Sequence, residues 1–187
     1  MDLRKLKSEI DAEEDISKIS DCIKDITKKN KKITEKLVKS LDFEKLKSKI
    51  DAEEDIEKIG LCIYWISWGN MNVGEKLVKS LDFVKLKDKI EVEEDVGKIG
   101  LSIGYLAGVS KKSEEIIVEL VKSLDFEKLK DKLELERDVG KIGVCIFAIA
   151  IGSKELASKI VNQLDPDKAK TPEVREKIME LKNRYQK

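Results

Sequence analysis

Histidine is absent from this chain of 187 residues, which contains only two prolines and three cysteines. Without histidine, the chain lacks the commonest general base and the commonest metal ligand of proteins. The cysteines, Cys22, Cys62 and Cys145, form no CxxC pair of the kind found in zinc and redox sites. We therefore expect no catalytic residues, no metal site and no cofactor, and we predict that the protein is not an enzyme.

Long apolar segments are also missing. The longest apolar run covers residues 142–152, whereas a membrane-spanning helix needs about 20 residues. We predict that this run forms a buried helix and that the protein has no membrane partner. The N-terminus carries no apolar signal region, so we expect a cytoplasmic protein.

Charge of one sign does not predominate, because 38 lysines and arginines are balanced by 38 aspartates and glutamates. This balance disfavours a globally basic nucleic-acid-binding protein, although it leaves a local basic patch open. Abundant Lys and Glu together with little Gln is a pattern of thermophilic proteins.

One repeated block dominates what the chain does contain. The sequence Val-Lys-Ser-Leu-Asp-Phe begins at Val38, Val78 and Val121, and a degraded copy begins at Val161. Counting from Asp2, the aspartates of successive copies follow at intervals of 40, 40, 43 and 40 residues. Such a period indicates stacked helical repeats. We predict one domain with repeats at 2–41, 42–81, 82–124 and 125–164 and a C-terminal cap at 165–187.

Each repeat is predicted to contain three helices, A, B and C, as the second repeat illustrates. Asp42 is a good N-cap for helix A. The acidic triplet Glu53-Glu54-Asp55 suits the positive end of a helix dipole and opens helix B. Recurrence of such triplets in other repeats favours helix initiation over a metal site or paired catalytic carboxylates, since consecutive helical residues point in different directions. In the second repeat, helix A is expected at 43–51. Helix B is expected to run from the acidic triplet to about residue 68, and helix C is expected at 73–80.

Helix B carries two stripes that behave differently along the chain. The first is apolar in every repeat, as in Ile56, Ile59, Ile63 and Ile66, and is predicted to be core. The second is apolar in repeats two to four but charged in repeat one. We predict that it packs on the preceding repeat, because repeat one has no predecessor and would leave it in water. The second stripe is Asp21, Lys24, Asp25 and Lys28 in repeat one, then Leu61, Tyr64, Trp65 and Trp68, then Leu101, Gly104, Tyr105 and Gly108, then Val144, Phe147, Ala148 and Ile151.

Two irregular segments complete the prediction. Thr171-Pro172-Glu173 reads as the start of a final helix, with Val174, Ile178, Leu181 and Tyr185 on its apolar stripe. We expect this helix to lie across repeat four as a cap. The third repeat has three extra residues near 111–113, which we place in the loop between helices B and C.

A period of 40 to 43 residues with three helices in each unit resembles the armadillo and HEAT class of α-solenoids over essentially the whole chain. The resemblance implies an all-α fold, an α-solenoid of four three-helix repeats plus a C-terminal capping helix. It also implies binding of peptides, proteins or nucleic acid along a curved face. We therefore favour a non-enzymatic scaffold that binds a protein or peptide partner. The alternatives are nucleic-acid binding and binding of a small apolar ligand near repeat three.

Candidate partner-binding residues are Lys39, Lys79, Lys122 and Trp68. The lysines recur on helix C and would form a ladder for an acidic peptide or a phosphate backbone. Alternatively, they form a solvated face near a helix C-terminus, where lysine is favoured. Trp68 stands at the end of helix B, where its ring can reach the surface. The aromatic residues of the second stripe would form a binding platform or, as we favour, pack between repeats.

A candidate pocket surrounds Gly104 on helix B of repeat three. Interior helical glycines cost up to about 1 kcal/mol relative to alanine, so a compensating role is expected. One hypothesis is a pocket for a small apolar ligand bordered by Tyr64, Tyr105 and Phe147. The other is close helix packing, with the ring of Tyr64 or Phe147 filling the space.

Overall fold

The structure, a computed structural model, describes residues 2–185, so the last two residues of the predicted cap lie outside the described residues. Within that range the chain is all-α, with thirteen α-helices, one short 3-10 helix and no strand. The 3-10 helix, Pro166–Lys168, lies between α12 and α13. The α-helices are α1 (Leu3–Ala12), α2 (Ile16–Lys29), α3 (Lys31–Ser40), α4 (Phe43–Ala52), α5 (Ile56–Gly69), α6 (Met71–Ser80), α7 (Phe83–Val92), α8 (Val96–Ala107), α9 (Lys111–Ser123), α10 (Phe126–Leu135), α11 (Val139–Gly152), α12 (Lys154–Gln163) and α13 (Pro172–Tyr185).

Polar side chains begin twelve of these helices in a repeating order. Each cap accepts a hydrogen bond from a backbone N–H two or three residues further on, which satisfies a group that has no partner inside the helix. The caps are Asp2, Asp42, Asp82 and Asp125 for helix A, Asp15, Asp55, Asp95 and Asp138 for helix B, and Asn30, Asn70, Ser110 and Ser153 for helix C.

The acidic triplets initiate helix B, as predicted, but stand just before its first turn. In the second repeat, α5 begins at Ile56 and Asp55 is its cap. The carboxylate of Glu53 accepts a hydrogen bond from the backbone N–H of Asp55 at 3.0 Å. The triplet is therefore a connecting turn between helices A and B.

The central helices α2, α5, α8 and α11 pack on one another in chain order. Their first stripe is core, as predicted, with Ile63, Ile103 and Ile146 all 0% exposed, except at Val139 in repeat four, which is 37% exposed. Burying one such side chain contributes about 1.5–3 kcal/mol before entropy is counted. Each central helix packs on helix C of its own repeat, and helix A packs on helix C in repeats one, three and four.

Small residues form the contact between successive central helices. A Cβ atom added to Gly60 would stand 3.0 Å from the Cα atom of Ser102. A Cβ atom added to Gly100 would stand 2.7 Å from the Cα and N atoms of Cys145. Ser102 and Cys145 therefore face the preceding central helix, and the helices approach too closely there for larger side chains on either flank.

The prediction that the second stripe packs on the preceding repeat holds for Tyr105, whose ring centroid lies 5.3 Å from that of Tyr64, but is wrong for Trp68 and Phe147. Phe147 is 61% exposed and Trp68 is 47% exposed. At about 100° per residue, positions 61, 64, 65 and 68 lie opposite the core stripe, whereas positions 60 and 62 lie on the flanks. The flanks meet the neighbouring helices, and the second stripe is left on the side away from helices A and C.

The three extra residues of the third repeat do not lie in a loop, contrary to the prediction. They form the first turn of α9, which has 13 residues, whereas α3 and α6 have 10 each. The hydroxyl of Ser110 accepts a hydrogen bond from the N–H of Ser113 at 3.1 Å, and Glu114 lies in the first turn. This capping makes continuation of the helix favourable.

Lysines of helix A connect successive repeats through backbone carbonyls. The ammonium of Lys132 donates to the carbonyls of Glu91 and Glu93, both at 2.6 Å. Lys49 donates in the same way to the first repeat, including the carbonyl of Glu13 at 2.6 Å. These carbonyls lie at a helix end and have no partner inside the helix, so the lysines satisfy them.

The close contact at Gly100 predicts opposite effects for two glycines of α8. Gly100→Ala should lower the free energy of unfolding by about 1–3 kcal/mol, because the methyl group would overpack the contact with α11. Gly104→Ala should raise it by about 0.5–1 kcal/mol, because alanine is the better helix former and the position is open. Urea denaturation of both variants measures the two values, and a loss of stability in Gly104→Ala would contradict the packing described.

Ion pairs between central helices predict an acid-sensitive contribution to stability. Burial raises the pKa of Asp95, but the hydrogen bond from Lys141, at 2.6 Å, and those from the backbone N–H groups of Lys98 and Gly97 outweigh it, so the pKa is lowered. The ion pair therefore stabilises the fold above the unfolded-state pKa of about 3.9, and the contribution is lost as the pH falls through the folded pKa.

Asp95→Asn keeps a capping side chain but removes this ion pair. We expect it to cost about 0.5–1 kcal/mol at neutral pH, because the pair is partly exposed, and close to nothing below the folded-state pKa of Asp95. Asp138→Asn is the matched control, since Asp138 caps α11 and has no ion-pair partner among residues 2–185. Urea denaturation across the acid range tests this, and a pH-independent cost in Asp95→Asn would contradict it.

Candidate binding face

The second stripe of α5, α8 and α11 forms a continuous surface that we call the open face. It is the side of the central helices that is turned away from helices A and C. Its members in α5 and α8 are half-buried or exposed, and in α11 Val144 is 39% exposed. Ala148 is the exception, at 2% exposed. The open face therefore presents apolar side chains to solvent over three successive repeats.

Four aromatic rings cluster on the open face between α5 and α8. The ring of Tyr64 lies 5.8 Å from that of Trp65 and 6.0 Å from that of Trp68, both edge-on. Its centroid is 5.3 Å from that of Tyr105 in the next repeat. Edge-on arrangements are favourable for aromatic pairs. The rings thus pack against one another at their edges, and their outer surfaces stay accessible to solvent.

The charged stripe of repeat one borders this aromatic cluster. Lys24 lies with its Nζ atom 6.0 Å from the ring centroid of Trp65. Asp21 and Asp25 are exposed. Charged side chains thus occupy in α2 the same positions that carry aromatic and aliphatic side chains in the next three central helices.

A cleft of about 540 Å³ opens at the C-terminal end of α5, and we call it the tryptophan cleft. It brings together two of the predicted partner-binding residues, Lys39 and Trp68, with Tyr64 and Met71 beside them. Met71 is 59% exposed. Sequence reasoning missed Met71, because it lies at the start of helix C and belongs to neither stripe of helix B.

The three ladder lysines each pair with a carboxylate on their own helix. Lys39 pairs with Glu35 at 2.7 Å. Lys79 pairs with Glu75 at 2.6 Å, and Lys122 pairs with a glutamate at 3.0 Å. Such pairs are partly neutralised, so they offer a phosphate backbone less charge than a row of free lysines would. Of the three, only Lys39 lines the tryptophan cleft.

Gly104 stands at an open position on α8. Nothing in the described chain, other than the helix that carries it, comes within 4 Å of the place where its Cβ would stand. The hypothesis that Tyr64 or Phe147 fills this space is therefore wrong. Of the candidate pocket residues, Tyr64 and Tyr105 lie together with their ring centroids 5.3 Å apart, whereas Phe147 lines two clefts near α13.

The final helix, α13, packs beside α11 and α12. It buries Val174, Ile178 and Leu181, as its apolar stripe predicted. Its other side forms clefts with the C-terminal end of the open face. The position of α13 extends the open face beyond the last repeat. The periodicity of the sequence alone did not indicate this extension.

Phe147 separates two clefts beside α13. The first, of about 720 Å³, has Val139, Gly143 and Val144 on its floor and glutamates of α13 on its wall, and we call it the acidic cleft. The second, of about 710 Å³, has Ala150, Ile151 and Tyr185 among its apolar residues and charges of both signs, and we call it the terminal cleft. Both volumes fall within the range of ligand-binding clefts.

Groups that could perform chemistry are scarce in the described part of the chain. Residues 2–185 contain no cluster of three or more Cys, Asp or Glu side chains placed to hold a metal ion. Burial raises the pKa values of Cys62 and Cys145 to about 12, so these thiols stay protonated and unreactive. No described helix combines the length and apolar character needed to span a bilayer.

Known proteins offer no guide to this surface. No protein-family model, no curated protein and no solved structure matches the chain. The function is therefore inferred from the residues of the open face and its clefts.

Exposure of Phe147 predicts that its removal leaves the fold intact. Phe147→Ser should change the free energy of unfolding by less than about 0.5 kcal/mol, as is usual for surface positions. Its neighbour Ile146 is 0% exposed, so Ile146→Ala should cost about 2–5 kcal/mol. Thermal and urea denaturation of both variants gives the comparison. A cost for Phe147→Ser close to that of Ile146→Ala would show that the ring is buried.

Proposed function

We propose that the protein is a non-enzymatic helical-repeat scaffold of the armadillo and HEAT-like α-solenoid type, which binds a protein or peptide partner on the open face. The observation that carries the proposal is the exposure of Phe147, at 61%, between two clefts. A contiguous exposed apolar surface of this kind marks interaction sites in stable soluble proteins.

Repeat one supplies the internal comparison. The positions of the open face carry Asp21, Lys24 and Asp25 in α2, and α2 still packs on α5 and buries its core stripe. In repeat one, the fold therefore does not require apolar residues at these positions. Their apolar character in the next three central helices needs another explanation, and binding of a partner provides it.

Aromatic residues strengthen the proposal. Trp68 is 47% exposed and lies beside Tyr64, Met71 and Lys39 in the tryptophan cleft. Tryptophan, tyrosine and methionine are enriched at protein interfaces, where rigid rings and adaptable thioethers contribute much of the binding energy. The tryptophan cleft and the two clefts beside α13 would then contact different parts of one partner.

Nucleic-acid binding is the second candidate function, supported by lysines other than the ladder. Lys28, Lys29, Lys31, Lys32 and Lys36 are exposed around the α2–α3 turn. Within the described chain none of the five forms an ion pair, unlike the ladder lysines. A gel-shift assay with duplex DNA at about 0.05 M salt tests this candidate, and absence of a shift would exclude it. Neither Gly104 nor Tyr105 lines any of the clefts described above, which argues against the small-ligand alternative.

Affinity purification from the source organism tests the preferred function. Phe147→Asp should lose partners that the unaltered protein captures, because a carboxylate at the centre of an apolar contact leaves an unpaired charge in the interface. Val84→Asp is the matched control, since Val84 is an exposed apolar residue on α7, at 70% exposed. Quantitative mass spectrometry measures the amount of each partner captured by the unaltered protein and by the two variants. Capture that is equal in all three proteins would refute binding through the open face.

A further inference from the structure

The acidic cleft has a mainly apolar floor. Val139, Gly143 and Phe147 follow one another at intervals of four residues and so lie along one line of α11. Val139 is 37% exposed and Val144 is 39% exposed. Beside Gly143 the nearest atom to an added Cβ is the Cε of Lys177, at 3.7 Å. The floor is thus apolar and about two turns long, and the side chain of Lys177 lies beside it at Gly143.

The wall of the acidic cleft has the opposite character. Glu173, Glu176 and Glu180 line it at intervals of three and four residues, so they stand on one side of α13. Lys177, also on the wall, pairs with Glu180 at 2.9 Å. Neither Glu173 nor Glu176 forms an ion pair with any other residue in 2–185. The wall therefore carries excess negative charge, although the chain as a whole is neutral.

The apolar floor and the acidic wall together specify a ligand with two different sides. We propose that the acidic cleft binds one amphipathic helix of a partner protein. Its apolar stripe would cover Val144 and Phe147, and its lysines or arginines would face Glu173, Glu176 and Glu180. This inference rests on the proposed function and adds the chemical class of the partner.

The spacing of the acidic wall favours a helix over an extended segment. Glu173 and Glu180 are seven residues apart, about 10 Å along α13. A helix that lies along this wall brings its own residues i, i+3 and i+7 to the same three places. Binding of an apolar helix face in a groove, with charges at the rim that set specificity, is a recurring mode of recognition.

Two synthetic helical peptides of about 18 residues test the proposal directly. Both carry leucine at positions i, i+3, i+4 and i+7, and their flanks carry either lysine or glutamate. Fluorescence anisotropy should show that the lysine peptide binds at least about tenfold more tightly at about 0.05 M salt. The preference should weaken at about 0.5 M salt, since rim charges are screened there.

Variants of the wall identify where the lysine peptide binds. Glu173→Gln combined with Glu176→Gln should weaken binding of the lysine peptide about tenfold and should not weaken binding of the glutamate peptide, because it removes charges that repel that peptide. The matched control combines Glu114→Gln with Glu155→Gln, which removes two carboxylates of the terminal cleft on the other side of Phe147. The control should bind the lysine peptide as the unaltered protein does.

Each other outcome overturns the inference in a recognisable way. Equal binding of both peptides, with loss in Phe147→Ser, would keep the open face as a binding surface and refute the basic helix. Failure of both peptides to bind would refute the helix as occupant, and affinity purification would still test the proposed function. A concentration-dependent dimer that Phe147→Ser abolishes would show that a second copy of the chain fills the cleft.

Discussion

The close approach of successive central helices is the contact on which the rest of the structure depends. Gly60 lies against the backbone of Ser102, and Gly100 lies against the backbone of Cys145. Because small residues occupy these flanks, the four central helices form one layer, with helices A and C covering one side of it. The same arrangement leaves the other side open. The open face, on which the proposed function depends, therefore exists because small residues occupy the flanks.

Electrostatic contacts follow the same repeating order around this layer. Lys98 and Lys141 each pair with the capping aspartate of the preceding central helix, at 2.7 and 2.6 Å. Lys132 donates to carbonyls at the end of the preceding helix A. Partly exposed pairs contribute modestly, so their main effect is to fix the orientation of one unit on the next. Apolar burial supplies most of the stabilisation.

The sequence predicted the helices and the core because both depend on local patterns. Asp42 and the acidic triplet before α5 mark helix starts, and the spacing of Ile59, Ile63 and Ile66 marks the buried side. The second stripe was misassigned at Trp68 and Phe147, because a change from charged to apolar residues shows that an environment differs, without showing what provides it. The angular positions of residues 60 and 62 around the helix indicate that the flanks are the sides that meet the neighbouring central helices. The acidic cleft was not predictable, since it depends on where the 165–171 connection directs α13.

Hydroxyl-radical footprinting with mass spectrometry tests the open face most directly, because it compares residues of the same type within one chain. Trp68 is exposed and Trp65 is half-buried, while Phe147 is exposed and Phe126 is partly buried. The account predicts much faster oxidation of Trp68 than of Trp65, and of Phe147 than of Phe126. Protection of Trp68 and Phe147 equal to that of Trp65 and Phe126 would contradict it.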